Sequence, residues 1–263
     1  MHHALSRRRF LIAGPIAAVG TWLPARDAAC QPQRLTPDPA AFEAGDLLWP
    51  KPKDAYIPYG NDSSFEQEKV RWESERNAFA RQLFSKASPS PEERELLRAL
   101  SALSYEEFYA RYVENQQTGS FQPYGTVAGV GHVAVVRMDS SKTPHIIEAM
   151  PGHGVRPMAY SAWLATRPGQ EVYHGRLSRT RAADRAKLAD EAERFISRPY
   201  GFWNFNLSDD RSFYCSKLVW LSTLRATKIP LDGDDRTQRS FWLSPKQLIR
   251  SSRIDVLFAP GTY

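Results

Sequence analysis

Hydrophobic residues recur along the chain in two rhythms, and the change between them divides it. Between Ser63 and Gln117 they fall at helical spacing, as in Val70, Trp72, Phe79, Leu83 and Phe84, with charges between them. Ser90-Pro91-Glu92-Glu93 reads as a helix start ahead of Leu96, Leu97, Leu100 and Leu103. The serine caps free N–H groups, proline suits the first turn, and the acidic pair favours the positive end of the helix dipole. Two or three helices are predicted here, an insertion over about residues 62–118. After Gly129 the period becomes two. Val133 to Val136 read as a buried strand, Asp139 to Pro144 as a turn, and Ile146-Ile147-Glu148-Ala149 as the return strand of a hairpin.

Earlier, Gly45-Asp46-Leu47-Leu48-Trp49 predicts a first strand that Pro50 and Pro52 end. Glu171 to Gly175 predicts another. Ala182 to Ile196 carries Leu188, Ala192, Phe195 and Ile196 on one side of a charged amphipathic helix. An aromatic loop, Tyr200 to Phe213, leads into a helix beginning at Tyr214-Cys215-Ser216-Lys217. Ser244-Pro245 caps a last helix, and Ile254 to Phe258 predicts a closing strand.

The composition, 42% hydrophobic and 24% charged, is that of a folded globular protein. Two cysteines exclude a disulfide scaffold. The six histidines have no paired ligand spacing, which argues against a structural zinc site. The net charge of +6 invites a nucleic-acid reading, but setting aside Arg7, Arg8, Arg9, Arg26 and Asp27 halves it to +3. No nucleic-acid partner is therefore expected.

Those front residues have another explanation. Ser6-Arg7-Arg8-Arg9-Phe10-Leu11 precedes an apolar stretch, Phe10 to Ala25, that is too short to cross a bilayer as a helix, and small residues follow at Ala28 and Ala29. Residues 1–29 are read as a cleavable signal resembling the twin-arginine consensus, which directs export to the bacterial periplasm or cell envelope. Cys30 is a candidate lipidation site and membrane tether, although Asp27 departs from the aliphatic residue that a lipobox wants. Residues 30–41, rich in proline and polar residues, read as a linker, and the domain is expected over 42–263.

Cys215 opens a helix, where unpaired N–H groups and the positive dipole end stabilise a thiolate. A lone cysteine in a helix is more often a small buried apolar residue. With a turn near Ser140 and Ser141, however, His132 and Glu148 become cross-strand neighbours. A carboxylate that orients an imidazole, and an imidazole that deprotonates a thiol, make a Cys-His-acid triad. His132 also reads as a satisfied core histidine and Glu148 as an ion-pair partner, and spacing leaves both readings standing.

The ordered segments Gly45-Asp46-Leu47-Leu48, Gly131-His132-Val133-Ala134-Val135-Val136, Ile147-Glu148-Ala149, Pro199-Tyr200-Gly201 and Tyr214-Cys215-Ser216-Lys217-Leu218-Val219 resemble the circularly permuted papain-like amidases, the YiiX/YaeF-like relatives of NlpC-type hydrolases. The resemblance spans about residues 42 to 226. It implies an α+β fold, a small antiparallel sheet or barrel packed on the helix that bears the nucleophile. It further implies Cys215 as nucleophile, His132 as general base and acid, Glu148 as the residue orienting the imidazole, and Tyr200 as support for the oxyanion, with a buried aromatic whose hydroxyl is satisfied as the plainer reading of Tyr200. Neither metal nor organic cofactor is implied.

Relatives usually carry glutamate where this chain has Lys217. That lysine would lower the thiol pKa or read an anionic substrate, with a solvent-facing side chain as the plainer expectation. Trp203, Phe205, Phe213 and Trp220 suit either an acyl groove or simple packing. His2, His3, His145, His153 and His174 form no ligand cluster, and His153 is read as a loop residue. The expected function is an exported cysteine hydrolase acting on an amide of the cell envelope, such as a cell-wall peptide. The alternatives are a lipid-directed acyl hydrolase or acyltransferase, and a non-catalytic envelope-binding module.

Overall fold

Segments whose side chains alternate between two apolar surfaces pair into one antiparallel sheet in the computed structural model, which describes residues 34–55, 57, 65–85, 88, 91–109, 131–201, 204, 206–234 and 243–263. The expected signal, Cys30, the capping residue Ser90, Trp203 and Phe205 lie outside the described residues. The strands are β1 (Leu47–Pro52), β2 (Ala134–Met138), β3 (Pro144–Met150), β4 (Gly154–Ala159), β5 (Gln170–Leu177) and β6 (Ile254–Phe258). They lie in the order β4-β3-β2-β1-β5-β6. The helices are α1 (Phe65–Phe84), α2 (Pro91–Ala102), α3 (Tyr105–Tyr109), α4 (Tyr160–Ala165), α5 (Ala182–Glu193), α6 (Cys215–Thr227) and α7 (Pro245–Ile249).

Period-two alternation sends Leu47, Trp49, Val133, Val135, Ile147, Ala149 and Tyr173 into a core shared with Leu188 and Ala192 of α5, Leu218 to Leu221 of α6 and Leu248 of α7. The intervening residues Leu48, Ala134, Val136, Ile146 and Val172 pack on the other face against Phe42 and against Tyr160 and Trp163 of α4. The sheet is thus covered on both sides. Helix α6 is buried along most of its length, from Cys215 to Thr223. Helix α1 contacts both other helices of the insertion, with Trp72 against Tyr105 and Phe108 of α3 at ring centroid separations of 5.7 and 5.4 Å.

Pro50 does not end the first strand, which runs on to its last residue at Pro52. The two prolines pair with Val172 and Gln170 of β5. On its other side β1 is laddered to β2 only at Leu47 and Leu48, and beyond these an edge tolerates residues that lack an N–H. The expected linker also joins the body early, since Leu35 accepts the Val172 N–H at 2.8 Å. β4 and α4 had no assignment from the sequence.

The Gly45-Asp46 pair clamps β1 to its surroundings. Gly45 has φ +84, and a Cβ there would lie 2.0 Å from the Arg185 carbonyl oxygen, so only glycine fits. The buried Asp46 carboxylate accepts from His174 Nε2 at 2.7 Å, from Arg176 at 2.7 and 2.8 Å, and from the Glu43 N–H at 2.8 Å. Burial works against its charge, but these donors outweigh burial and lower its pKa.

Candidate active site

The predicted hairpin forms with a shifted register. Val135 stands across from Ile147 and Met138 from Pro144. Asp139 sets the turn, its Oδ1 accepting from Ser141 N and Thr143 N at 2.8 Å each. Continued, this register puts Ala134 opposite Glu148, so His132 is a diagonal rather than a direct neighbour. The two still lie on the same face, and their side chains meet, with His132 Nε2 2.9 Å from Glu148 Oε2.

Glu148 is fully buried and saturated with donors. Besides His132, its Oε2 accepts from Trp163 Nε1 at 2.8 Å and Arg167 Nη2 at 2.7 Å. Its Oε1 accepts from Arg156 Nε at 3.1 Å and Nη2 at 2.8 Å. Arg167 also stacks on the Trp163 ring, 4.3 Å from its centroid. Burial alone would push the carboxyl up, but the facing His132, with Arg167 and Trp163, lowers it to about 2. Trp163, Arg156 and Arg167 were not foreseen. They come from β4, α4 and the turn after it, and nothing local in the sequence marks them.

Cys215 belongs to the core on the opposite face, at the first position of α6. No side-chain cap occupies the helix start, so its N–H groups and dipole act on the sulfur. His132, just before β2, bridges the two faces at the end of the strand. With Nε2 on Glu148, Nδ1 is left for the thiol, and imidazole and thiol interact closely enough to shift each other's ionisation. Burial opposes the thiolate. His132, the Ser216 hydroxyl and the Val133 N–H outweigh it and lower the Cys215 pKa. Burial likewise disfavours the imidazolium, yet Cys215 and Glu148 raise the His132 pKa to about 9. The two shifts describe one thiolate–imidazolium pair. About 17% of the His132 side chain remains open, which gives the pair an outlet to solvent.

Tyr200 is placed by a short parallel bridge to Phe213, with Gly201 N on Phe213 O and Phe213 N on Pro199 O, each 3.0 Å. Burial and the Cys215 charge raise its pKa, which puts the phenol within electrostatic reach of the sulfur.

Lys217 departs from the solvent-facing expectation. It is fully buried, donates to Asn204 O at 2.9 Å and lies 5.6 Å from the Phe213 ring centroid. Position i+2 on a helix faces away from position i, so the ammonium turns toward the loop rather than the sulfur. Phe213 and Trp220 are fully buried, and Trp220 Nε1 donates to Asp232 Oδ1 at 3.0 Å, so both are packing residues rather than groove walls. Among the described residues, no group of three or more His, Cys, Asp or Glu is arranged to hold a metal ion. His153 is an exposed turn residue, as expected.

A thiol at the head of a helix, facing an imidazole and a carboxylate carried by an antiparallel sheet, is the arrangement of a papain-like cysteine hydrolase, here with histidine and acid ahead of the cysteine in the chain. A family model described as permuted papain-like amidase enzyme, YaeF/YiiX, C92 family, matches residues 109–248, and the chain belongs to this family. It is therefore an enzyme of the cysteine amidase and peptidase class. A solved structure described as metalloprotein YiiX from Escherichia coli O157:H7 is similar to it at 15% identity and a TM-score of 0.43, covering 82% of this chain and 96% of that one. No curated protein matches the chain.

Proposed function

We propose that the protein is an exported cysteine amidase that cleaves an amide of the cell envelope through an acyl-enzyme on Cys215, with His132 as general base and acid and Glu148 as its orienting carboxylate. The observation that carries this reading is the continuous chain from the lowered Cys215 thiol through His132 to the saturated Glu148. The thiolate attacks the carbonyl carbon, and the carbonyl electron pair moves onto oxygen. Collapse expels the amine, which takes its proton from His132. Neutral His132 then removes a proton from water, the hydroxide displaces the thiolate, and the acid product leaves with the imidazolium restored. The Cys215 N–H at the helix start and the Tyr200 hydroxyl are suited to receive the oxyanion.

The compartment is read from Ser6 to Leu11, whose paired arginines suit export of a folded enzyme, and Cys30 offers a tether. Substrates consistent with that place are cell-wall peptides and other envelope amides. The test is incubation of the mature protein with envelope extract, followed by mass spectrometry of protein and released fragments, wild type against Cys215→Ala. Fragments that require Cys215, with an adduct on it, support the reading and name the bond. Release of fatty acids alone moves the substrate to lipid, and no Cys215-dependent release removes the proposal.

A further inference from the structure

His132 sits in a backbone position that β2 does not secure. The strand ladder starts beyond it, and the preceding Gly131 has φ +89, so the main chain turns immediately before the imidazole. Its N–H and C=O are met by one side chain from the far end of the chain. Tyr263 Oη accepts the His132 N–H and donates to the His132 carbonyl, each at 3.3 Å. Gly131 leaves room for that hydroxyl, since a Cβ there would approach it to 2.3 Å.

The tyrosine is itself held in place. Its ring stands edge-on to Tyr173 of β5, with centroids 5.1 Å apart. Lys51 of β1 donates to the Thr262 carbonyl at 2.6 Å and pairs with Glu171 of β5 at 3.0 Å, both side chains nearly inaccessible. Glu171 in turn accepts from Tyr173 at 3.1 Å. A buried ion pair next to the last turn of chain is costly unless well matched, and here it fixes one carbonyl and one ring.

We infer that Tyr263 is a positioning residue for the reaction, fixing the His132 backbone so that the imidazole faces Cys215 and Glu148 together. Two long hydrogen bonds to the two peptide groups flanking one residue are weak as stabilisers. They are well suited to orienting that residue, and misplacement of a general base by an ångström costs rate out of proportion to stability. Burial and the nearby Cys215 charge keep the phenol protonated, so it remains a donor across the working range.

This inference rests on the proposed Cys215–His132 pair, and the experiment separates the two. The rate of Cys215 alkylation by iodoacetamide is followed from pH 5 to 10 in wild type, His132→Ala, Tyr263→Phe and Tyr263→Leu, with adducts assigned to Cys215 by mass and melting midpoints recorded. Tyr263→Phe is expected to slow alkylation at pH 6 by roughly ten- to a hundredfold and to move the thiolate limb upward. Tyr263→Leu should share that pH shift while melting lower, because only the ring packing separates the two variants. A wild type no faster than His132→Ala at pH 6 removes the ion pair and the inference with it. A fast wild type with an unchanged profile in Tyr263→Phe, or a profile that moves only in Tyr263→Leu, overturns the positioning role alone.

Discussion

Arg156 stands directly across from Glu148 in the β3–β4 ladder and binds its Oε1 through both Nε and Nη2. Arg167 reaches the other oxygen from beyond α4, so two guanidiniums flank the carboxylate that touches His132. With so many donors committed to the charged form, Glu148 stays ionised far below neutrality and holds one ring orientation.

Replacing Glu148 by glutamine keeps the shape and removes the charge, leaving Arg167 buried with no counter-ion. The expected cost is about 3–5 kcal/mol, read from urea midpoints, because breaking one partner of a buried pair leaves the other unpaired. Alkylation of Cys215 should lose its low-pH rate in the same variant. The Arg156 side chain is one quarter exposed, so Arg156→Leu should cost clearly less.

The pH dependence follows from the same groups. Glu148 titrates near 2 instead of 4.5, so its contribution to stability is present above pH 4.5 and is lost as pH falls through about 2. His132 titrates near 9 instead of 6.5, so the interactions of the imidazolium are fully present below pH 6.5 and are lost as pH rises through about 9. Amide hydrolysis needs the thiolate and the imidazolium together. Its pH profile should rise at a limb below the ordinary thiol value and fall near pH 9, and His132→Ala, which has no imidazolium, should be inactive across the range.

Much of the site could be read from the sequence, because alternation and helix position are local properties. Val133 to Val136 and Ile146 to Ala149 announced the hairpin, and parity alone put His132 and Glu148 on one face. The register was harder, because Asp139 bonds two N–H groups of the turn and lengthens it beyond a tight pair at Ser140 and Ser141. The fixing residues were invisible for a different reason. Arg167 is 19 positions from Glu148, Tyr263 is 131 from His132, and Lys51 is 211 from Thr262, distances across which no periodicity speaks. Lys217 misled because a lysine near a helix start is normally solvated, whereas here Asn204 and Phe213 close over it.

The capping box at α7 is open to a simple stability test. Ser244 Oγ accepts from Gln247 N at 3.0 Å, and Gln247 Oε1 accepts from Ser244 N at 2.7 Å. The next residue's carbonyl, that of Pro245, receives Trp49 Nε1 at 3.0 Å, tying the helix to β1. Ser244→Ala should cost about 1 kcal/mol, a fall of roughly 2–4 °C in melting midpoint, with the Cys215 alkylation profile unchanged.

Export is testable apart from catalysis. With Arg7 and Arg8 both changed to lysine, a twin-arginine signal is expected to fail, leaving full-length protein in the cytoplasm, whereas Cys30→Ala should release a tethered protein into the soluble periplasm. Fractionation and the mass of the mature N-terminus read both. Unimpaired export of the double lysine variant would remove the twin-arginine reading.

Lys217 makes the opposite contribution to that of His132. Burial lowers its pKa to about 7, against the attraction of Asp209 and Asp210, while an unfolded lysine titrates near 10.5. Between those values the unfolded chain binds the extra proton, so this residue makes the fold more stable as pH rises from about 7 to 10.5, and it weighs most heavily against the fold below 7. Lys217→Met keeps the buried stem and removes the ammonium, at the loss of one bond to Asn204. The variant should therefore melt higher than wild type at pH 6, with the gain shrinking or reversing by pH 9. Melting curves of both proteins across that range decide the matter. A lower midpoint at pH 6 would mean that the Asn204 bond and the Phe213 contact outweigh the cost of burying the charge.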